Sequence, residues 1–256
     1  MSAELQWTSA SRTDVGRVRE INEDDCLALP QRGLWAVADG MGGHSAGDLA
    51  SRTIVRALER LAAPATLADF IDAARAALDT VNARLRESAA QRGVRMIGST
   101  VAVLLASGRQ CGWLWAGDSR IYLYRDAHLT QLTLDHSHVA ELLAQGHLSA
   151  QQARHHPSQH LITRAVGAAE RLHLDERRID VRDGDMFLLC SDGLSNEMDE
   201  ADISAALACG DCARATDALV DLALREGGRD NVTAVVIRAD DPDASDHTLA
   251  NPAVRR

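Results

Sequence analysis

The sequence predicts an α+β fold in which antiparallel sheets are covered by helices. Short turns join most of the predicted strands, which is typical of antiparallel pairing. The predicted helices come in pairs and do not alternate singly with strands, so a repeated βαβ unit is not indicated. We predict one domain over residues 1–239 and a disordered polar tail over residues 240–256.

The first part of the chain is predicted to contain strands followed by a helix. Apolar segments predict strands at residues 15–18, 25–29 and 34–38. A glycine-rich turn follows, and after it apolar residues recur at helical spacing. The residues of that stripe are Ala50, Ile54, Leu58 and Leu61.

A second, longer helix is predicted after Pro64. Thr66 and Asp69 stand at the spacing of a capping box, which marks its start. The apolar residues of its predicted core face are Leu67, Phe70, Ile71, Ala74, Leu78, Val81 and Leu85.

Strands return after this helix pair, and a second helix pair follows them. Turn signatures separate the strands, and residues 136–167 are mixed polar and helical. The predicted strands are residues 99–106, 111–116 and 121–124, two that bracket residues 183–185, and a last one at 232–237. The predicted helices are residues 200–207 and 213–225.

Four aspartates each lie beside a glycine or in a tight polar turn. Asp39, Asp118 and Asp192 follow apolar runs that predict strands, whereas Asp230 precedes one. Rigid strand ends can hold carboxylates in fixed geometry. Carboxylates placed together raise each other's pKa, and a hard divalent cation such as Mg²⁺ or Mn²⁺ resolves that conflict. The pattern therefore predicts a carboxylate-bound metal site, and with it an enzyme.

Composition excludes several other functions. The net charge of −10 argues against nucleic acid and anionic membranes as partners. No apolar stretch has the length of a membrane span, and no signal-peptide core is found, so we expect a cytoplasmic protein. The five cysteines are scattered, which argues against a disulfide framework. Cys209 and Cys212 have CxxC spacing without a second pair, and we interpret that spacing as incidental.

Seven short motifs occur in the order and spacing that resemble the metal-dependent protein phosphatases of the protein phosphatase 2C family, in particular its bacterial branch. Each motif alone is a weak signal, but the ordered series is a strong one, and it covers residues 9–239. The motifs are Arg19-Glu20-Ile21-Asn22-Glu23-Asp24, Asp39-Gly40-Met41-Gly42-Gly43-His44, Gly98-Ser99-Thr100, Gly117-Asp118-Ser119-Arg120, Asp135-His136-Ser137, Ser191-Asp192-Gly193-Leu194 and Asp230-Asn231-Val232-Thr233.

The resemblance implies a four-layer α-β-β-α sandwich of two antiparallel sheets flanked by helix pairs, with a metal cleft at one end. It implies Mn²⁺- or Mg²⁺-dependent hydrolysis of phosphoserine and phosphothreonine in proteins, by direct attack of a metal-bridged water. The expected cofactors are two ions in the core site and a third, weaker one. The expected partners are phosphorylated proteins, with an opposing bacterial Ser/Thr kinase among them, and we expect a monomer.

The resemblance also assigns metal ligands. By position in the motifs, Asp39 would bridge the two core ions, and Gly40 would offer its backbone carbonyl to one of them. Asp192 and Asp230 match the remaining direct ligands of the core site. Asp118 matches the residue that joins Asp192 in holding a third ion.

Other matched positions concern water, substrate and proton transfer. Glu23 and Asp24 match acidic residues that orient metal-bound water or add a ligand, and Arg19 matches the arginine that binds the substrate phosphate. Animal members of the family carry a histidine two residues after the bridging aspartate, where this chain has Met41. His44 could serve instead as general acid for the leaving group, or it could only orient water or shape the turn.

Three alternatives stay open. Related phosphatases act on anti-anti-sigma factors in stress signalling, although these usually carry fused sensor domains that this sequence lacks. A non-catalytic phosphoprotein-binding module would be favoured if metal ligands were missing. A nucleotide-processing Mg²⁺ enzyme is disfavoured, because neither a GxxxxGK[ST] loop nor a GxGxxG helix start is found.

Side chains around these motifs have simpler interpretations. Arg120 and Arg164 could lie at a phosphate-attracting mouth, but surface arginines are usually only solvated. Residues 139–163 match the variable flap of the family. We interpret five histidines as part of a polar mobile segment and not as a metal cluster, namely His136, His138, His155, His156 and His160. The residues Trp35, Trp113 and Trp115 are predicted to pack between sheets.

Overall fold

The computed structural model describes residues 4–42, 46–62, 64–149, 152, 156–158 and 161–244. Within them, two antiparallel sheets lie face to face. The first sheet has the strand order β1 (Gln6–Asp14), β11 (Val232–Asp240), β10 (Met186–Cys190), β7 (Arg120–Arg125), β8 (His128–Gln131). The second has the order β2 (Asp24–Leu29), β3 (Leu34–Met41), β5 (Val101–Ser107), β6 (Gln110–Ala116), β9 (Asp175–Asp180), with the short β4 (Gly98–Ser99) beside β3.

Helices cover the outer face of each sheet. The second sheet is covered by α1 (Ala46–Glu59) and α2 (Leu67–Arg92), and the first by α5 (Glu200–Leu207) and α6 (Cys212–Glu226). Two shorter helices, α3 (His138–Ala144) and α4 (Asp192–Ser195), lie at sheet ends. Three apolar layers result, one between the sheets and one under each helix pair. The four-layer α-β-β-α architecture is therefore confirmed.

Local sequence signals account for the longest helix. The Thr66 hydroxyl accepts a hydrogen bond from the backbone N–H of Asp69, which satisfies one of the free donors at the start of α2. Gly93 ends the helix in the left-handed conformation, with φ of 66°. All seven apolar residues of the predicted core face are buried.

The tryptophans pack where the sequence predicts. Trp35, Trp113 and Trp115 are buried in the apolar layer between the sheets, and Trp7 from β1 contacts Trp35 with a ring-centroid distance of 5.2 Å. Because large aromatic rings bury more apolar surface than most side chains, they fix the distance between the two sheets.

One predicted strand is wrong. Residues 15–18 form a turn, and the first strand is β1, which precedes them. The backbone groups of this turn bond outside any β-ladder: the N–H of Arg17 donates to Gly228, and the carbonyl of Val15 accepts from the Asn231 side chain. Gly16 has a left-handed φ of 80°, which a strand does not permit.

The last strand, β11, extends to Asp240, one residue past the predicted domain boundary, and the tail from residue 245 onward lies outside the described residues. No helix in the described part of the chain is long and apolar enough to cross a membrane.

Candidate active site

A cleft of about 600 Å³ opens where strand ends of both sheets meet. Seven of the nine site residues predicted from the sequence line it, and their roles stay predictions. Asp24 lies buried beneath the cleft, and His44 lies outside the described residues. The lining residues are Arg19, Glu23, Asp39, Gly40, Met41, Gly42, Thr100, Asp118, Ile162, Asp192, Gly193, Asn196, Glu197, Arg229, Asp230 and Asn231.

The strand ends bring the carboxylates together. Asp39 in β3 is directly opposite Asp24 in β2, so both side chains leave the sheet on the same side. Asp118 lies in the turn between β6 and β7, Asp192 begins α4 directly after β10, and Asp230 precedes β11. Carboxylates distant in the chain therefore face one cleft.

Burial and mutual repulsion raise the pKa values of Asp24, Asp39 and Asp118. Burial raises the pKa of Asp39 well above its ordinary value, and the charges of Asp24, Asp192 and Asp118 add to the effect. Burial, followed by the charge of Asp192, raises the pKa of Asp118 to about 7. The site thus favours either protons or another positive charge.

Asp24 occupies a network of buried hydroxyl groups beneath the cleft. Its Oδ2 accepts hydrogen bonds from Ser191 Oγ at 2.7 Å and from Thr233 Oγ1 at 2.6 Å. Burial raises the pKa of Asp24 to about 7, although the two hydrogen bonds oppose this shift. The network links β2 to the strand ends that carry Asp192 and Asp230.

A second hydroxyl pair supports the other side of the cleft. Thr100 Oγ1 accepts from the backbone N–H of Asp39 at 3.1 Å and lies 2.7 Å from Ser119 Oγ. Ser119 follows Asp118 in the chain. The hydroxyl pair therefore fixes the backbone that carries Asp39 relative to the turn that carries Asp118.

Arg19 reaches the cleft from the loop between β1 and β2. Its Nη2 lies 2.7 Å from Asp230 Oδ2, and this hydrogen bond and charge raise the guanidinium pKa. Asn231 holds the loop, because its Nδ2 donates to the carbonyls of Val15 and Ile21. Its Oδ1 accepts from the backbone N–H of Glu23.

Gly40 stands where the backbone of α1 approaches β3. A Cβ added to Gly40 would lie 2.1 Å from the carbonyl oxygen of Gly47, so no larger residue fits. Gly47 N–H in turn donates to Glu23 Oε1 at 3.1 Å. This contact brings the acidic side chain of Glu23 to the cleft.

The donor set is that of a hard divalent cation. All the candidate side-chain ligands are carboxylates, and Asp24 Oδ1 is buried without a hydrogen-bond partner among the described residues. Within the described residues, however, no three His, Cys, Asp or Glu side chains are already arranged to hold an ion. A cation bound by Asp230 would change the hydrogen bond between Arg19 and that carboxylate.

Other polar residues that the sequence raised as candidates have structural partners. Arg120 bonds to Asp135 through Nε at 3.0 Å and Nη2 at 2.7 Å, and Arg164 lies 2.7 Å from Asp175. The interpretation of His136 as part of a polar mobile segment is wrong, because its ring is buried and stacks on Trp115 at a centroid distance of 5.7 Å. His155 and His160 lie outside the described residues.

The cysteines have no direct part in the cleft. All five are free thiols, and none lines the cleft. Burial raises the pKa of Cys26 to about 11, and burial also raises the pKa of Cys111 and Cys212. Cys212 packs against Thr8.

Sequence reasoning missed the residues that position the carboxylates. All five stand inside the quoted motifs, and Ser119, Ser191 and Asn231 directly adjoin an aspartate, which was the available signal. They are Thr100, Ser119, Ser191, Asn231 and Thr233.

Comparisons with known proteins identify similar chains. A family model described as Protein phosphatase 2C matches residues 16–226. The Serine/threonine protein phosphatase PstP of Mycobacterium tuberculosis is 39% identical over 228 residues, which cover 89% of this chain. The match spans only 44% of that curated relative's length.

Solved structures share the fold at high similarity. PppA, described as a key regulatory component of T6SS in Pseudomonas aeruginosa, superposes with a TM-score of 0.87 at 45% identity, covering 92% of this chain and 99% of that one. The catalytic domain of PstP in complex with two manganese ions superposes with a TM-score of 0.84 at 36% identity, covering 93% of this chain and 100% of that one.

Proposed function

We propose that this chain, which belongs to the protein phosphatase 2C family, hydrolyses phosphoserine and phosphothreonine in proteins with Mn²⁺ or Mg²⁺ as cofactor. The observation that carries the proposal is the meeting of four aspartates and Arg19 in one cleft. Relatives that share the family are named serine/threonine protein phosphatases, which supports the choice of substrate.

The carboxylates are proposed to hold the metal ions. Asp39, the Gly40 carbonyl, Asp192 and Asp230 would bind the two core ions, and Asp118 would join Asp192 at a third. When bound, such ions lower the pKa of water towards neutrality and offset the charge of the phosphate. The two manganese ions in the PstP catalytic domain support a two-ion core site.

Residues beside the ligands are proposed to orient water. Asp24 is held rigidly by Ser191 and Thr233, with one carboxylate oxygen unpartnered among the described residues. Glu23 is fixed at the cleft by the N–H of Gly47. Carboxylates in fixed positions can accept hydrogen bonds from water and so direct it toward the phosphorus.

Arg19 is proposed to bind the substrate phosphate. A guanidinium group offers paired donors that match phosphate oxygens and balances the charge on them. In the structure Arg19 bonds to Asp230. When substrate binds, the guanidinium group would exchange this carboxylate partner for the substrate phosphate. We propose His44 as the donor of a proton to the departing serine or threonine oxygen.

This mechanism requires no covalent intermediate. The raised thiol pKa values of Cys26, Cys111 and Cys212 disfavour the thiolate that a cysteine-based phosphatase needs. We further propose that the protein is a cytoplasmic monomer that opposes a Ser/Thr kinase, with a phosphorylated protein as its partner. An anti-anti-sigma factor is the alternative substrate.

Hydrolysis of a phosphothreonine peptide tests the function. Protein treated with EDTA should release no phosphate, and restored Mn²⁺ or Mg²⁺ should return activity. Asp39→Asn should remain inactive with metal, while Asp183→Asn, in an Asp-Gly turn that does not line the cleft, should retain wild-type activity. Metal-independent turnover, or hydrolysis of ATP in preference to the peptide, would contradict the proposal.

A further inference from the structure

Large apolar side chains are exposed close in the chain to residues that line the cleft, and we call the two chain segments that carry them its rims. Val18, Ile21 and Leu161 have 65%, 49% and 59% of their surface exposed. Val18 and Ile21 flank Arg19 along the chain, and Leu161 precedes Ile162. Both Arg19 and Ile162 line the cleft. Single exposed apolar residues are common, so placement and not exposure is the informative property here.

The loop that carries Val18 and Ile21 is fixed to the active-site backbone. The Asn231 side chain donates to the carbonyl of Val15 at 2.9 Å and to that of Ile21 at 3.0 Å. Because Asn231 directly follows Asp230, the loop and the carboxylate share one anchor. The apolar side chains on this loop therefore have a defined position relative to the cleft.

The second rim segment, around Leu161, is also held by backbone contacts. The carbonyl of Leu161 accepts from the N–H of His138 at 2.8 Å, and Ile162 forms a β-bridge with Ser137. The Leu161 side chain is left in solvent while its neighbour lines the cleft. Two ordered rims thus present apolar groups beside an acidic cleft.

We propose that this apolar rim, formed by Val18, Ile21 and Leu161, binds the residues that flank the phosphorylated residue of a protein substrate. The inference rests on the proposed phosphatase function. When a phosphorylated side chain enters the cleft, the residues next to it in the substrate lie at the rim. The reason is that an extended chain advances only about 3.3 Å per residue. Large apolar neighbours gain buried surface there, whereas small polar neighbours gain little. The enzyme therefore selects apolar residues beside phosphoserine or phosphothreonine.

The test compares two phosphothreonine peptides of equal length and charge. One carries Leu or Val on both sides of the phosphothreonine, and the other carries Ser or Asn. For wild-type protein with Mn²⁺, kcat/KM for the apolar peptide should exceed that for the polar peptide about tenfold, the value expected for partial burial of one or two apolar side chains.

Variants of the rim should remove this preference. Val18→Ser combined with Ile21→Ser should reduce the tenfold ratio to about twofold or less, and Leu161→Ser should reduce it independently. Val94→Ser is the matched control, and it should keep the ratio. Val94 is 41% exposed, but unlike the rim residues it has no cleft-lining residue near it in the chain. Both peptides are measured on one sample, so a partly unfolded variant still yields a valid ratio.

Two results would overturn the inference. A ratio of kcat/KM between the apolar and the polar peptide near one for wild-type protein would show that the rim does not discriminate between flanking residues. A tenfold ratio retained in both the double variant and Leu161→Ser would place the preference elsewhere. Failure of wild-type protein to release phosphate from either peptide would instead overturn the proposed function itself, so the two failures are distinguishable.

Discussion

Asp185 and the aspartates of the cleft differ in what balances their charge. Asp185 lies before β10 with a fully buried side chain, and the Arg125 guanidinium bonds to both of its oxygens at 2.7 and 2.6 Å. In the part of the chain that the structure describes, no basic side chain forms an ion pair with Asp24, Asp39 or Asp118.

This difference separates a charge-paired carboxylate from the carboxylates proposed to act in the reaction. A buried charge is tolerated when an opposite charge and hydrogen bonds accompany it, as at Asp185. Asp39 and Asp118 are instead buried among other carboxylates, and burial and repulsion raise their pKa values. We propose that their negative charge is kept for a divalent cation, and each prediction below tests one side of this contrast.

The largest expected effect is on activity at the cleft. Asp39→Asn should lower kcat/KM by on the order of a thousandfold, because it removes one charged oxygen ligand from the proposed site for two metal ions. The same variant should leave the metal-free protein as stable as wild type or more stable, since one repelling charge is gone. Peptide kinetics with Mn²⁺ and thermal unfolding in EDTA measure the two quantities. A marked loss of metal-free stability would contradict this account.

The opposite pattern is expected at Asp185. Asp185→Asn should lower the free energy of unfolding by about 3 kcal/mol, because the guanidinium of Arg125 loses its buried partner. The fraction that remains folded should keep wild-type kcat/KM. Asp126→Asn is the control: its carboxylate is 83% exposed and 3.6 Å from Arg182, so denaturant unfolding should change by less than about 0.5 kcal/mol.

A pH effect of intermediate size is expected in metal-free protein. Burial raises the pKa of Asp118 to about 7, whereas an unfolded aspartate titrates near 4. Between these values the folded state holds a proton that the unfolded state has released, so stability is lost as pH rises through 7. The free energy of unfolding in EDTA should therefore fall by about 2 kcal/mol from pH 5 to pH 8.

Two further measurements check the origin of that pH effect. Asp118→Asn should reduce the slope, because it removes one titrating group. Saturating Mn²⁺ should stabilise the protein most at pH 8, where the carboxylates are ionised. A stability that rises with pH in EDTA would exclude the raised pKa values.

The smallest expected effect concerns Arg19. Arg19→Ala should raise KM about tenfold with a smaller change in kcat, because it removes a phosphate-binding group from an exposed ion pair. Stability should change little, as exposed ion pairs contribute little. Arg12→Ala, which removes a comparable surface arginine paired with Asp221, should leave both kinetic constants unchanged. An equal loss in the two variants would argue against a specific role for Arg19.

Local patterns allowed much of the fold to be predicted from the sequence. The start of α2 depends on Thr66 and Asp69, three residues apart, and the core face of the helix follows from its own periodicity. The gathering of aspartates at one cleft was predictable as well, since each lies beside a strand end. The prediction of such features requires only residues that are close together in the sequence.

Features that depend on distant contacts could not be predicted in this way. Residues 15–18 have the apolar pattern of a strand, but their backbone bonds to residues more than 200 positions away in the chain. The hydroxyl network that joins Asp24 to Ser191 and Thr233 spans similar separations. Arg120 bonds to Asp135 and not to a group in the cleft, and no spacing of residues in the sequence predicts that partner.

Calorimetric titration of the metal-free protein with Mn²⁺ tests the central claim most directly. We expect at least two ions bound per wild-type chain at pH 7.5, fewer in Asp39→Asn, and the wild-type number in Asp185→Asn at a temperature where it is folded. Absence of binding to folded wild-type protein, or equal binding by wild type and Asp39→Asn, would contradict the assignment of the cleft carboxylates as metal ligands.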